Sequence, residues 1–149
     1  MTSKTLLVTG GAGFIGSNFI RYIFEKRPTW RIVNLDLLTY AGNLNNLEDV
    51  TTAAGTQYDF VHGDIGDLAI LNRLFEQYRF DGVVHFAAES HVDRSILGPE
   101  AFIQTNVMGT YRLIQSSLDH WRQSGQANDF RFLHVSTDEV YGSLGETGY

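Results

Sequence analysis

The amino-acid sequence predicts an α/β fold built on a doubly wound parallel sheet, and three observations predict it. Apolar runs of strand length alternate with longer segments of helical period, which is the pattern of repeated βαβ units. The first apolar run, residues 4–9, is continuous in the way of a strand that is buried on both faces. A glycine-rich turn then leads directly into a helical segment. Right-handed crossovers between the five predicted strands give the expected strand order 3-2-1-4-5.

Each expected element follows from its own stretch of sequence. The apolar runs place five strands at residues 4–9, 31–36, 58–63, 82–87 and 130–136. Segments of helical period place helices at residues 14–26, 68–78 and 99–123, with a short and poorly defined helical stretch at 44–54. The residues between 87 and 99 are expected to form a loop, and residues 137–149 are expected to contain no further element.

Three single residues sharpen these expectations. Pro28 ends the first helix, because proline lacks the N–H that a helix interior needs. Asp67 is expected to cap the N-terminus of the helix at residues 68–78. Gly109 lies inside the longest predicted helix, where glycine costs about 1 kcal/mol relative to alanine. Close packing or a ligand is therefore expected at Gly109.

Length and composition exclude several classes of protein. The 149 residues suit one domain, and 43% hydrophobic against 19% charged residues excludes intrinsic disorder. A net charge of −6 without a Lys/Arg cluster disfavours a nucleic-acid partner. There is no cysteine, and the five histidines show no metal-ligand spacing, so neither a disulfide nor a metal site is expected. No run of about 18 apolar residues and no signal-peptide pattern is present, which predicts a cytoplasmic protein without a membrane partner.

A glycine turn follows the first predicted strand and opens the first predicted helix. Gly10, Gly13 and Gly16 stand at the spacing G-x-x-G-x-x-G. Glycine suits this turn because a side chain would block the approach of a pyrophosphate, while the helix N-terminus offers N–H groups to that anion. Asp36 ends the second strand, where a carboxylate accepts hydrogen bonds from a ribose diol and repels a 2′-phosphate. The pattern predicts a dinucleotide site that favours NAD over NADP.

Ligands of doubly wound sheets bind at the carboxyl ends of the strands, so candidate residues are those that directly follow a strand. Asp64 follows the third strand and either reads the edge of a base or serves as a turn residue. Thr137, Asp138 and Glu139 follow the fifth strand. Two adjacent carboxyl groups do not both ionise at low cost, so one can stay protonated as an acid while the other stays charged as a base.

These motifs resemble those of the extended short-chain dehydrogenase/reductase family, whose members have a Rossmann fold. The general resemblance lies in residues 9–16, Asp36, Gly63-Asp64 and Phe86-Ala87-Ala88. Residues 36–43, 87–95 and 136–142 resemble more narrowly the dehydratases of this family that act on dTDP-glucose. The resemblance covers essentially the whole chain.

The resemblance implies contacts to NAD along the whole crevice, beyond the glycines Gly10, Gly13 and Gly16. By position, the implied contacts are Phe14 and Ile15 at the pyrophosphate, Asp36, Leu37, Leu38 and Thr39 at the adenosine ribose, Asp64 and Ile65 at the adenine, Phe86, Ala87, Ala88, Glu89 and Ser90 beneath the dinucleotide, and Thr105 on the long helix. Ser90 is also implied to lie near the sugar substrate, and Asn106 matches a structural asparagine of the family.

The resemblance also implies a lyase reaction that removes water from a glucosyl unit. NAD takes a hydride from C4, and the new ketone acidifies the proton on C5. A base then removes that proton while an acid protonates the departing C6 hydroxyl, and the hydride finally returns from NADH to C6. In this reaction Glu139 is implied as the base at C5, Asp138 as the acid at C6, and Thr137 as a hydrogen-bonding partner of the C4 oxygen. The product is dTDP-4-keto-6-deoxyglucose.

The chain departs from the family in three respects. No Tyr-x-x-x-Lys follows the fifth strand, no sixth strand appears, and the substrate-binding region is missing. Residues 1–149 are therefore expected to be the NAD-binding Rossmann domain of a longer enzyme, without dehydratase turnover of their own. The resemblance implies a homodimer for the full-length enzyme.

Other functions stay open from the residues alone. One is another nucleotide-sugar dehydratase. Of these dehydratases, one that acts on UDP-glucose is the hardest to exclude. A UDP-sugar 4-epimerase of the same fold needs no acid/base pair for elimination, so Asp138 and Glu139 argue against it. A non-catalytic dinucleotide-sensing module has no reason to carry these two carboxyl groups.

Overall fold

The computed structural model describes residues 3–125, 128–142 and 145, and for Val92, Arg94, Asp138 and Glu139 it describes the backbone alone. The strands are β1 (Thr5–Thr9), β2 (Arg31–Asp36), β3 (Tyr58–His62), β4 (Gly82–His85) and β5 (Arg131–His134). The α-helices are α1 (Phe14–Lys26), α2 (Glu48–Ala53), α3 (Leu68–Gln77), α4 (Val92–Leu97), α5 (Pro99–Phe102) and α6 (Thr110–Gln123). A π-helix (Ile103–Gly109) joins α5 to α6, and 3₁₀ turns occupy Leu44–Leu47, Gly55–Gln57 and Asp138–Tyr141.

The five strands form one parallel sheet in the order β3-β2-β1-β4-β5, which confirms the predicted topology. The register sets Thr9 of β1 opposite Leu35 of β2 on one side and His85 of β4 on the other. Because all pairs are parallel, every strand ends at the same edge of the sheet. The loops that carry the candidate site residues therefore meet at that edge.

Two apolar clusters hold helices on the two faces of the sheet. Alternate side chains of β1 point to opposite faces, so Leu6 and Val8 join one cluster and Leu7 joins the other. The first cluster includes Ile20 and Ile23 of α1. The second is completed by Leu71 and Leu74 of α3 and by Leu113 of α6. The resulting layers of helix, sheet and helix are the architecture expected from a continuous apolar β1.

Helix α3 begins where the sequence places its cap. Asp67 has an extended backbone, and its carboxylate accepts hydrogen bonds from the N–H groups of Ala69 at 2.8 Å and Ile70 at 3.3 Å. These contacts satisfy two of the N–H groups that a helix leaves without partners at its start. The prediction of an N-cap at Asp67 is confirmed.

The structure corrects five of the predicted segments. Strands β4 and β5 end at His85 and His134, earlier than predicted, because their last residues turn into the loops of the crevice. The loop predicted between residues 87 and 99 contains α4, which at six residues is too short for periodicity to identify. The predicted continuous helix at 99–123 is interrupted by the π-helix. Asp138–Tyr141 forms a 3₁₀ turn where no element is predicted.

Gly109 lies at the end of the π-helix and packs against the loop after β3. A Cβ built on Gly109 would lie 2.8 Å from Cγ1 of Ile65, closer than real carbon contacts allow. Ile65 is itself only 4% exposed and has little room to move. Close packing is therefore the reason for glycine at this position. It is one of the two explanations expected from the sequence, the other being a ligand.

A chain of polar side chains crosses the interior between β1, β4 and α6. The ring nitrogens of the buried His85 exchange hydrogen bonds with the hydroxyl of Thr9 at 2.6 Å and the hydroxyl of Thr110 at 2.9 Å. Burial lowers the pKa of His85 to about 4, and the neighbouring His134 adds to this effect. The imidazole is therefore neutral at pH 7, with one donor and one acceptor nitrogen for the two hydroxyls.

Replacing Gly109 by alanine is expected to lower the free energy of unfolding by about 1–2 kcal/mol, because the clash with Ile65 outweighs the gain in helix propensity. Urea unfolding would measure the change. The control is Gln115→Ala on the exposed face of α6, which is expected to change stability by less than about 0.5 kcal/mol. An alanine variant as stable as the wild type would contradict the packing argument.

The stability of the chain is expected to fall as the pH drops from 6.5 to 4, because His85 takes up a proton more readily in the unfolded chain than in the folded one. The full effect of this one group is about 3 kcal/mol. Unfolding by urea at pH 7.5 and pH 5 would measure it. His85→Gln retains a donor and an acceptor but does not titrate, so it should lose about 2 kcal/mol less than the wild type between these pH values. Equal losses would contradict the assignment.

Candidate functional site

A crevice of about 370 Å³ opens at the carboxyl ends of the strands. Its walls come from the loop after each strand and from the π-helix. The lining residues are Gly10, Gly13, Phe14, Ile15 and Gly16 after β1, Leu35, Asp36, Leu37, Thr39, Ala41 and Gly42 around the end of β2, Gly63, Asp64 and Ile65 after β3, Phe86, Ala87, Ala88, Glu89 and Ser90 after β4, Thr105 from the π-helix, and Val135, Ser136 and Thr137 after β5.

The glycine turn approaches the loop after β4 closely. Gly10 has a φ of +70°, a left-handed conformation that side chains disfavour. A Cβ on Gly10 would also lie 2.5 Å from the backbone nitrogen of Ala87. Glycine is therefore required here both by the turn and by the neighbouring chain, and the two loops form one continuous floor for the crevice.

The first turn of α1 borders the crevice with backbone N–H groups that have no partner within the helix. The first α-helical hydrogen bond runs from the N–H of Ser17 to the carbonyl of Gly13. The N–H groups of Phe14, Ile15 and Gly16 therefore belong to the turn that a helix leaves without intrahelical acceptors. All three residues line the crevice. Together with the partial positive charge of the helix N-terminus, they form a site suited to an anion such as a pyrophosphate.

Two large apolar side chains stand exposed at the same place. Phe14 is 81% and Ile15 60% exposed, although the same helix buries Ile20 and Ile23 against the sheet. Exposed apolar surface inside a crevice is typical of a ligand site.

Asp36 lies at the end of β2 and is 7% exposed. Its Oδ2 accepts the N–H of Ala12 at 2.8 Å, and its Oδ1 accepts the N–H of Leu38 at 2.8 Å. Each carboxylate oxygen retains a second acceptor position, so both can still receive a hydroxyl of a ribose. Asp36 thus joins the glycine turn to the loop after β2, a structural role that the sequence did not predict.

The loop after β3 is held by a side chain of α6. The side chain of Asp64 accepts the N–H of Gly66 at 2.7 Å, and the guanidinium of Arg112 donates to the carbonyl of Gly66 at 2.6 Å. Ile65, which belongs to the same loop, packs against Gly109 at the end of the π-helix. Asp64 therefore serves as a turn residue and also lies on the crevice wall. The two roles that the sequence left open, contact to a base and stabilisation of a turn, are compatible.

The π-helix positions the loop after β4. The side chain of Asn106 accepts the N–H of Glu89 at 2.8 Å and donates to the carbonyl of Glu89 at 2.8 Å. Thr105, the preceding residue, lines the crevice. π-helical segments are rare and frequently occur at functional sites. This one brings Thr105 to the crevice and places Asn106 where it holds the backbone of Glu89, a residue of the crevice wall.

Thr137 reaches the crevice directly after β5. Asp138 and Glu139 follow it in the 3₁₀ turn, and their side chains lie outside the described part of the structure. Of the three residues expected to share one site, Thr137 lines the crevice, and the shared site with Asp138 and Glu139 stays a prediction.

The structure brings nearly all the predicted cofactor residues to the crevice. Leu38 is different, since it lies outside the crevice lining and has a φ of 54°. Its backbone serves the turn, through the N–H that donates to Asp36. Sequence reasoning missed Ala41 and Gly42 as lining residues, although both stand inside the motif at residues 36–43.

Two kinds of site are not found in the described part of the chain. No group of three or more histidine or acidic residues is arranged there to hold a metal ion. Within the same residues, no helix has both the length and the apolar character that crossing a membrane requires.

Comparison with known proteins agrees with this geometry. A family model described as GDP-mannose 4,6 dehydratase matches residues 7–149. The dTDP-glucose 4,6-dehydratase of Xanthomonas campestris strain B100 is 57% identical over 146 residues, which cover 97% of this chain and 40% of the relative. The dTDP-glucose 4,6-dehydratase 1 of Escherichia coli K12 is 52% identical over 141 residues, 93% of this chain and 38% of the relative.

Solved structures show the same likeness. The dTDP-glucose 4,6-dehydratase of Streptomyces venezuelae, solved with NAD and TYD bound, is 50% identical with a TM-score of 0.79, over 95% of this chain and 42% of the other. A UDP-Glc/GlcNAc 4-epimerase of Campylobacter jejuni is 32% identical with a TM-score of 0.79, over 98% of this chain and 42% of the other.

The chain spans 40% or less of the length of these two curated relatives. Within that span the family model matches the chain from β1 onward, through every loop that lines the crevice. The chain therefore belongs to the family that this model describes, GDP-mannose 4,6 dehydratase, and within it is similar to the dTDP-glucose 4,6-dehydratases.

Proposed function

We propose that this chain binds NAD and carries the acid/base residues of a nucleotide-sugar 4,6-dehydratase that acts on dTDP-glucose. The observation that carries the proposal is the position of Thr137, which lines the same crevice as the glycine turn and Asp36. A hydride acceptor and the residues for elimination would then lie side by side.

The residues of the crevice fit a dinucleotide. The N–H groups of Phe14, Ile15 and Gly16 suit the pyrophosphate, and the carboxylate of Asp36 suits the hydroxyls of a ribose. The same carboxylate would repel the 2′-phosphate of NADP. Asp64 and Ile65 would border the adenine, and the loop from Phe86 to Ser90 would lie beneath the dinucleotide. When bound, NAD supplies a reversible hydride acceptor.

The residues after β5 would carry the proton transfers. Thr137 donates a hydrogen bond to the C4 oxygen of the glucosyl unit, which helps to orient it together with Ser90. Once C4 is a ketone, Glu139 removes the acidified proton from C5 and Asp138 protonates the departing C6 hydroxyl. Adjacent carboxyl groups suit this division of roles, because the charge of one favours the protonated form of the other.

An apolar stripe on the helix after α5 supports a homodimer. Ile103, Val107, Tyr111 and Ile114 stand three or four residues apart and are 41–58% exposed. Apolar side chains at this spacing form one face of a helix, and such a face is stable when a second helix covers it. We propose a second copy of the enzyme as the partner.

Because NAD and nucleotide sugars are cytoplasmic metabolites, we also propose a cytoplasmic location.

Asp36→Asn is expected to weaken NAD binding by about tenfold or more. A charge-assisted hydrogen bond to the ribose is lost, and the amide nitrogen would face one of the backbone N–H groups, of Ala12 or Leu38, whose hydrogen bonds Asp36 accepts. Binding of NADP should weaken less or improve, since the repulsion of its 2′-phosphate is removed. Isothermal titration of the wild type and the variant with both dinucleotides would measure the ratio. Glu76→Gln, on the exposed side of α3, removes a similar charge far from the crevice and should leave both affinities unchanged. A wild-type chain that binds NADP more tightly would contradict the role of Asp36.

In the enzyme that contains this chain, Glu139→Gln is expected to lower kcat by about 10²–10⁴-fold and leave the affinity for NAD unchanged, because the variant lacks the base at C5. Product formation from dTDP-glucose would measure kcat, and exchange of the C5 proton with deuterated water would isolate the proton transfer. Glu76→Gln is again the matched control. A variant that exchanges the C5 proton at the wild-type rate would contradict the assignment.

A further inference from the structure

We propose that Asn34 is a positioning residue for the cofactor, whose buried carboxamide fixes the glycine turn in the shape that presents the N–H groups of α1 to a pyrophosphate. The inference deepens the proposed binding of NAD and rests on it. It concerns a residue beneath the crevice, because Asn34 is not among the residues that line it.

Asn34 is a polar residue in the interior of an apolar strand. It lies in the middle of β2, between Val33 and Leu35, and its exposure is 0%. A buried amide costs free energy unless its hydrogen bonds are made. Among the described residues no buried side-chain nitrogen or oxygen lacks a hydrogen-bond partner, so the carboxamide of Asn34 is satisfied.

The two ends of the carboxamide reach different elements. Its oxygen accepts the N–H of Gly11 at 3.1 Å, across the space between β2 and the glycine turn. Its nitrogen donates to the hydroxyl of Tyr58 on β3 at 2.9 Å. Burial raises the pKa of Tyr58, so this hydroxyl stays protonated at neutral pH. Asn34 therefore anchors the turn to the second and third strands.

The fit between Asn34 and the turn is close. A Cβ on Gly11 would lie 2.3 Å from the side-chain oxygen of Asn34. The two residues therefore depend on each other, since the glycine leaves room for the carboxamide and the carboxamide provides the acceptor that the glycine N–H requires.

The hydrogen bonds of the turn show what Asn34 protects. The N–H groups of Gly10 and Gly13 donate to backbone carbonyls, and that of Ala12 donates to Asp36. With the N–H of Gly11 on Asn34, four consecutive donors are occupied inside the protein. The next three donors, at the start of α1, belong to residues that line the crevice and lack intrahelical acceptors. Without the acceptor at position 34, the N–H of Gly11 would have to turn toward water or a new partner, and the three donors that follow it would move as well.

The test replaces the carboxamide and compares two ligands. Asn34→Leu keeps the branching of the side chain at Cγ but cannot accept a hydrogen bond, and its methyl groups are bulkier than the amide oxygen and nitrogen that they replace. It is expected to bind NAD about tenfold more weakly than the wild type, by isothermal titration, because the pyrophosphate loses its preset donors. Adenosine has the base and ribose but no phosphate, so its affinity, measured by NMR titration, should change less than about twofold. Hydrogen exchange at the amide of Gly11 should become faster.

Tyr58→Phe is the matched control. It removes the other partner of Asn34 but keeps the bond to Gly11, so its Tm should fall while its affinity for NAD stays that of the wild type. If the leucine variant does not fold, Asn34→Val, a residue suited to strands that also cannot accept a hydrogen bond, is judged by the same criteria.

Three results would overturn the inference. If Asn34→Leu binds NAD as tightly as the wild type, Asn34 has no positioning role. If NAD and adenosine lose affinity by the same factor, its role is merely structural. If the wild-type chain itself does not bind NAD, the proposed function fails and the inference fails with it, a result that is distinct from the other two.

Discussion

The segment between β1 and α1 has to satisfy four consecutive backbone N–H groups without regular secondary structure, and the acceptors that it uses determine the geometry of the crevice. Two of the four acceptors are side chains of β2, Asn34 and Asp36, and the others are backbone carbonyls. A side-chain acceptor sets both the distance and the direction of the turn from the sheet. The position of the anion site therefore depends on β2 as much as on the glycines.

The other side of the turn is held by the chain that follows β2. The carbonyl of Ala12 accepts the N–H of Asn43 at 3.1 Å and the side-chain amide of Asn46 at 2.9 Å. Arg21 of α1 binds the carbonyl of Asn46 and pairs with Asp49, which ties this segment to the helix that the turn opens. Donors and acceptors of the turn are thus fixed from opposite directions, and the turn is preorganised before any ligand arrives.

The sequence predicted most of the fold because apolar periodicity records burial, and burial decides where strands and helices lie. Helix α1 and strand β2 have the predicted bounds, and the strand order follows from the handedness of crossovers. The crevice was predictable because parallel strands bring their ends together. The hydrogen bonds of Asn34 and the second role of Asp36 were not, since they depend on distances between side chains and a turn that no local pattern encodes. Leu38 shows the same limit, because the hydrogen bond from its N–H to Asp36 is a backbone contact that no side-chain pattern indicates.

The π-helix at Ile103–Gly109 has a consequence for how this sequence can change. Each π-type hydrogen bond spans one more residue than its α-helical counterpart, so the segment behaves as an insertion within an otherwise regular helix. Removing one residue there would restore ordinary winding and rotate either Thr105 and Asn106 or the apolar face of α6 away from its neighbours. Insertions and deletions are tolerated in surface loops, but we expect them to be excluded from this helix. Among related sequences, the number of residues between Pro99 and Gln123 should therefore stay constant, while the identity of the exposed residues varies.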